Sequence, residues 1–143
     1  MNREIYLFDT DAMTNILKPS PSPLLLDKLK SIPHKDQFIS SITLYEIVYG
    51  AYKSTRKDYH LKNLRDILLP AVQLISFDSK AAYICGTIRG KLKNTELENR
   101  GTPLFLADLQ IASISLAHDM VLITGNIKHF RRIPNLKVEN WLQ

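Results

Sequence analysis

Four polar residues far apart in the chain share one chemical character: Asp9, Glu46 and Asp108 are carboxylates and Asn126 is an amide. Carboxylate oxygens are the preferred ligands of hard divalent cations such as magnesium or manganese. A zinc site is not favoured, because Cys85 stands alone and His34, His60, His118 and His129 are scattered. Carboxylates crowded together repel one another, and a cation removes that cost. One or two such ions can hold a phosphodiester, polarise its phosphorus and lower the pKa of an attacking water. Each residue also has a plain structural use. Asp9 follows an apolar run and can cap a helix, Glu46 closes a Thr43-x-x-Glu46 capping box, and Gly125-Asn126 is a good turn pair. Asp108 lies in an apolar segment, where it faces solvent or is placed for a purpose. Convergence of all four would favour the chemical reading.

The elements that must position these residues alternate along the chain. Residues 5–8 form a short β-prone run ending at Asp9, with a short helix to Ile16 beyond it. Ser22-Pro23 opens a helix over 24–32, with Ser22 as cap. A second strand is expected over 38–42, then a helix from Thr43 through Tyr52 and another over 57–69, ended by Pro70. A third strand spans 72–77, and Asp78 caps a helix to about Asn94. Thr102-Pro103 starts a helix to His118, 121–124 form the fourth strand, and 137–139 a fifth at an edge. Strands alternating with helices give an α/β fold: a mostly parallel central sheet of four to five strands flanked by helices on both faces. Ligands bind outside the carboxyl ends of such strands. Asp9, Glu46 and Asn126 are expected at those ends. Asp108, early in its helix, is expected at the opposite edge unless the loop before it lifts the helix start over the site.

A chain of 143 residues suits one domain, and 45% hydrophobic with 23% charged residues is ordinary globular usage. Disordered, collagen-like and repeat architectures are excluded. The longest largely apolar stretch, residues 67–77, is far short of the roughly 18 needed to span a membrane. No secretory pattern opens the chain, and a lone cysteine suits a reducing compartment, so a cytoplasmic protein is expected. Nineteen Lys and Arg against 14 Asp and Glu give a net charge of +5, which favours polyanions.

The segments LFDTDAMTNIL (7–17), ISSITLYEIVYGA (39–51), IRGKL (88–92), GTPLFLADLQIAS (101–113) and VLITGNIKHFRRIPNLKVENW (121–141) occur in family order. The chain resembles the PIN-domain ribonucleases, specifically the VapC toxins of bacterial toxin–antitoxin pairs. HFRRIPNL followed by ENW resembles the branch that cleaves initiator transfer RNA in the anticodon region. The resemblance implies one PIN domain over residues 1–143, in which Asp9, Glu46 and Asp108 hold Mg2+ (Mn2+ as a substitute). Asn126 falls where many members have a fourth Asp. The resemblance further implies a VapB-type antitoxin that inserts into the active-site groove, a homodimer, and a larger complex that binds operator DNA through the antitoxin. Asp11 and Phe105 depart from the family pattern without touching a matched carboxylate.

Arg89, Lys91 and Lys93, with Lys128, His129, Arg131 and Arg132, are candidate phosphate contacts. Tyr45, Tyr49 and Tyr52, at helical spacing among apolar neighbours, are expected in the core or at a dimer interface. Cys85 is expected to be a small buried hydrophobe. Two rival readings stand beside the nuclease. Leu7-Phe8-Asp9-Thr10-Asp11 resembles the start of haloacid-dehalogenase phosphatases, but Met13 stands where their Thr or Val belongs. The other is a non-catalytic PIN-like module that binds RNA or protein, which Asn126 supports.

Overall fold

The alternation of side chains along very short strands sets the layering. Leu7 and Leu122 enter one apolar cluster while Phe8, Val121 and Ile123 enter another, so consecutive residues serve opposite faces of one sheet. The computed structural model describes residues 3–92 and 106–143. Its strands are β1 (Tyr6–Phe8), β2 (Gln37–Ser40), β3 (Gln73–Ile75), β4 (Val121–Ile123) and β5 (Lys137–Glu139). They lie in the order β3-β2-β1-β4-β5 and every neighbouring pair is parallel. β1 is central, with Leu7 registered against both Phe38 and Leu122.

The helices are α1 (Thr10–Ile16), α2 (Pro23–Ser31), α3 (Ser41–Lys53), α4 (Lys57–Asn63), α5 (Leu69–Ala71), α6 (Ser79–Lys91), α7 (Leu106–Ala117) and α8 (Ile127–Phe130). A parallel sheet is buried on both faces, as the two clusters require. One face is covered largely by α6 and α7, including Cys85, Leu109 and Ile114. Met13, Leu25 and Ile47 from the first three helices, with Leu64 and Leu68 from the segment after α4, cover the other, together with Trp141. Asp78 caps α6 by accepting from the Ala81 amide at 2.9 Å, and its other oxygen pairs with His118 at 2.8 Å. That contact ties the start of α6 to the end of α7, so the two packed helices run antiparallel. The carboxyl of Asp78 is held below its ordinary range by the Ala81 amide and by His118. No helix of the described residues is long and apolar enough to cross a membrane.

Several boundaries differ from the sequence-based expectation, each for a local reason. β2 stops at Ser40, whose hydroxyl accepts from the Thr43 amide at 3.0 Å, so α3 starts two residues before Thr43. Ile42 is thus in the helix. With Ser40 as cap, Thr43 is inside the first turn and no Thr43–Glu46 capping box forms, which frees Glu46 for another partner. Pro70 does not end the helix beyond Lys57; it sits inside α5, after a π-helical stretch at Leu64–Leu68 in which the Leu69 amide reaches back to the Leu64 carbonyl. Leu64 and Leu68 are buried there while Ile67 is exposed. β3 keeps only Gln73–Ile75, because the Phe77 amide turns to the Ser41 hydroxyl at 3.2 Å. Tyr45, Tyr49 and Tyr52 are 63%, 55% and 62% exposed, so they are not core residues. Helical spacing marks a face without saying which way it looks. Phe105, Lys93, the expected loop at 94–101 and the Thr102-Pro103 helix start lie outside the described residues.

Candidate active site

β1 ends where Phe8, fully buried, gives way to Asp9, whose amide still bonds to the Ile123 carbonyl at 2.9 Å. Asp9 is the N-cap residue of α1, as its position after the strand suggested. One of its oxygens accepts from the Thr10 amide at 2.6 Å and the other from the Thr124 hydroxyl at 2.8 Å. Its carboxylate is therefore fixed at the carboxyl edge of the sheet and 7% exposed. Burial pushes the Asp9 carboxyl up to about 7; the charges of Asp11 and then Asp108 add to this, against the two hydrogen bonds.

Glu46 arrives from α3. Its Oε1 accepts a 2.6 Å hydrogen bond from the Thr10 hydroxyl, which also lies 3.3 Å from the Thr43 hydroxyl. The Glu46 carboxylate is thereby linked to the residue next to Asp9. Asp108 lies in the first turn of α7 and reaches the same rim, correcting the expectation of the opposite edge. A helix that leads into a parallel strand runs back against it, so its first turn starts at the carboxyl edge. Burial pushes the Asp108 carboxyl up, His129 pulls it down, and the charges of Glu46 and Asp11 push it up again. Those mutual influences show four acids within one electrostatic neighbourhood.

Asn126 follows β4. Its amide N–H donates to the Thr124 hydroxyl at 3.1 Å, so Thr124 joins Asp9 on one side to Asn126 on the other. The Asn126 side chain bonds to His129 Nδ1, and His129 Nε2 lies 3.6 Å from Asp108 Oδ2. His129 is buried, so it is not an outward phosphate contact as its basic neighbours had suggested. Asp11 accepts from the Gly125 amide at 3.2 Å, in a corner so close that a Cβ on Gly125 would lie 3.0 Å from that carboxylate. Nothing in the spacing of Thr10 or Thr124 announces their role. A hydroxyl next to an acid, and another immediately past a strand, are the only signals.

Arg89 and Lys91 are exposed on the last turn of α6, which runs back toward the start of α7 and hence toward Asp108. Lys128 and Arg131 are exposed beside α8, and Arg132 is half-buried. A cleft of about 440 Å³ opens against Thr10 and Glu46, with Leu17, Ile47 and Ala51 on its walls and Arg56 and Tyr59 at its margin.

Among the described residues, no three His, Cys, Asp or Glu side chains form a finished metal cage. The donor chemistry nevertheless fits a hard divalent cation. The available groups are carboxylate oxygens, Asp9 and Asp108 repel one another, and the sole cysteine is in the core. A cation among them would offset the burial, and with it the neighbouring negative charge, that raise both carboxyls.

A parallel sheet carrying an acidic cluster at its carboxyl edge defines a class of α/β hydrolytic site, and the PIN domain model matches residues 6–136. The chain belongs to the PIN-domain family. Among its relatives, Ribonuclease VapC2 of Rickettsia felis is 36% identical over 137 residues, covering 96% of this chain and 98% of that protein. The tRNA(fMet)-specific endonuclease VapC of Salmonella typhimurium is 35% identical over 103 residues, 72% of this chain and 74% of that protein. The crystal structure of VapBC2 from Rickettsia felis bound to a DNA fragment from their promoter matches with a TM-score of 0.80 and 34% identity, covering 96% of this chain and 98% of that one. The phosphatase reading falls with this membership.

Proposed function

We propose that the chain is the ribonuclease toxin of a VapBC pair, a magnesium-dependent endonuclease that cuts initiator transfer RNA in the anticodon region and stops translation. The observation that supports the metal-nuclease part is the meeting of Asp9, Glu46 and Asp108 at one sheet edge, joined through Thr10, Thr124 and His129; the substrate rests on the likeness to the tRNA(fMet)-specific endonuclease VapC. Asp9, Glu46 and Asp108 would hold Mg2+, or Mn2+ in its place, with Asn126 beside them. When bound, the ion supplies positive charge for the phosphodiester and acidifies the attacking water. The protein's part is to hold its carboxylates aimed. The Thr10 hydroxyl donates to Glu46, and the Thr10 amide and Thr124 hydroxyl donate to Asp9, fixing each carboxylate while burial and neighbouring charge raise the Asp9 and Asp108 carboxyls. Water then attacks phosphorus in line with the leaving oxygen, with no covalent enzyme intermediate.

Arg89, Lys91, Lys128, Arg131 and Arg132 would neutralise backbone phosphates on either side of the acidic rim, so that a basic exterior offsets an acidic centre. The apolar cleft against Thr10 and Glu46 suits the inserted segment of a VapB-type antitoxin. The exposed stripe of Tyr45, Tyr49 and Tyr52 suits a homodimer interface, where tyrosine is enriched. With antitoxin, such a dimer would form the larger assembly that reaches operator DNA; the Rickettsia felis VapBC2 structure is itself bound to a DNA fragment from their promoter. On this reading the protein acts in the cytoplasm as one PIN domain. Sequencing RNA 5′ ends after brief induction in cells tests the substrate. Cuts confined to initiator transfer RNA are expected, and dispersed cuts would overturn that assignment.

A further inference from the structure

We propose that His129 is a positioning residue for the metal site, aiming the Asp108 carboxylate, and that Asn126 acts through His129 rather than on the metal. This rests on the proposed metal-dependent nuclease, and it gives Asn126 a different task from an acid at the same place.

The chemistry of the two side chains decides the arrangement. His129 is 7% exposed, with its Nε2 3.6 Å from Asp108 Oδ2 and its Nδ1 bonded to the Asn126 side chain through Nδ2. An amide nitrogen can only donate, so Nδ1 accepts and the ring proton of a neutral imidazole sits on Nε2, facing the carboxylate. Reversing the Asn126 amide would present its oxygen to Nδ1 and draw the ring proton there. Nε2 would then turn a lone pair toward Asp108, which repels. For a neutral ring, only one orientation of the amide satisfies both ends.

The backbone supports the same geometry. The His129 amide donates to the Asn126 carbonyl at 3.0 Å, closing a tight turn that brings the two side chains together. The Asn126 amide is held by the Thr124 hydroxyl, which also holds Asp9. Adjacent Phe130 is 1% exposed and anchors α8 in the core. The chain Thr124–Asn126–His129–Asp108 thus connects the end of β4 to the first turn of α7. Partners of this kind, which orient a ligating carboxylate from behind, typically change metal affinity 10- to 100-fold, an order-of-magnitude figure. An Asp at 126 could serve as a ligand itself; Asn, with its donor, is suited to fix a ring.

Calorimetric Mn2+ titration of the whole protein tests this, alongside RNA cleavage at rising Mg2+. His129→Leu, which fills the same buried volume without an N–H, is expected to weaken Mn2+ binding roughly tenfold. Its cleavage should recover at high Mg2+ with KM for RNA unchanged. His129→Gln, which keeps an N–H toward Asp108, should regain most of the affinity. Asn126→Ala, at an exposed site that folding tolerates, should weaken binding by a smaller factor and add nothing once His129 is Leu. Unchanged affinity in Asn126→Ala, or a full additional loss from it in the His129→Leu background, would overturn the proposal. If His129→Leu does not fold, His129→Gln against Asn126→Ala/His129→Gln reads the same coupling. Absence of Mg2+-dependent RNA cleavage by the wild type would instead defeat the nuclease reading, and is a separate result.

Discussion

Asp9 carries two opposed demands in one side chain. It is fixed by Thr10 and Thr124, yet burial and neighbouring acids push its carboxyl up to about 7 from an ordinary value of 3.8. A folded-state value above the unfolded one means that this group's contribution to stability is full below about pH 4 and is lost as pH rises through 7. Asp9→Asn should therefore melt above wild type in metal-free buffer at pH 8, keep only a smaller part of that advantage at pH 5, and no longer cleave RNA; differential scanning fluorimetry at the two pH values checks the first two. The Thr10 hydroxyl has a comparable role for Glu46. A hydrogen bond to a charged group contributes on the order of 1.5–3 kcal/mol, so Thr10→Val should slow single-turnover cleavage at least roughly tenfold, with Thr10→Ser restoring it. Asp9 stands out in the sequence because it directly follows a strand, whereas Glu46 and Asp108 lie within helices and were picked out by residue type and by the family resemblance. The hydroxyls that hold them could not be singled out, since a Thr beside an acid has no spacing of its own. His129 was legible only as one more cation in a basic run, because burial of a single ring depends on how α8 turns.

At the scale of elements, one cap decides where Glu46 points. Ser40 is fully buried and its hydroxyl meets the Thr43 amide, so α3 begins earlier than the Thr43-x-x-Glu46 pattern implied. Ser40→Ala should destabilise the fold by about 1 kcal/mol in urea titration, and should lower cleavage as well because the first turn of α3 carries Glu46 to the rim. An unchanged midpoint would show that the cap contributes nothing. Strand and helix order, the parallel sheet and the edge position of β5 could all be read from periodicity and turn residues. Strand lengths could not, because in β2 and β3 the hydroxyls of Ser40 and Ser41 capture amides that the apolar run alone would assign to a strand. The direction of α7 needed a rule of topology rather than a residue pattern, which is why Asp108 was expected at the wrong edge.

Over the whole molecule, charge is divided between an acidic rim and a basic remainder, with a net charge of +5. RNA affinity should fall steeply with salt, and each of Arg89→Ala, Lys91→Ala and Arg131→Ala should reduce the slope of log K against log salt by about 0.7–1 if its side chain meets a phosphate. A slope unchanged by all three would remove those residues from the RNA surface. The most direct test of the account is calorimetric titration of Mg2+ into the full chain at pH 8, wild type against Asp9→Asn, Glu46→Gln and Asp108→Asn. Wild type is expected to bind the ion, and each substitution to weaken binding by at least about tenfold. Equal binding in wild type and all three variants would show that these carboxylates do not share a cation, and would contradict that expectation.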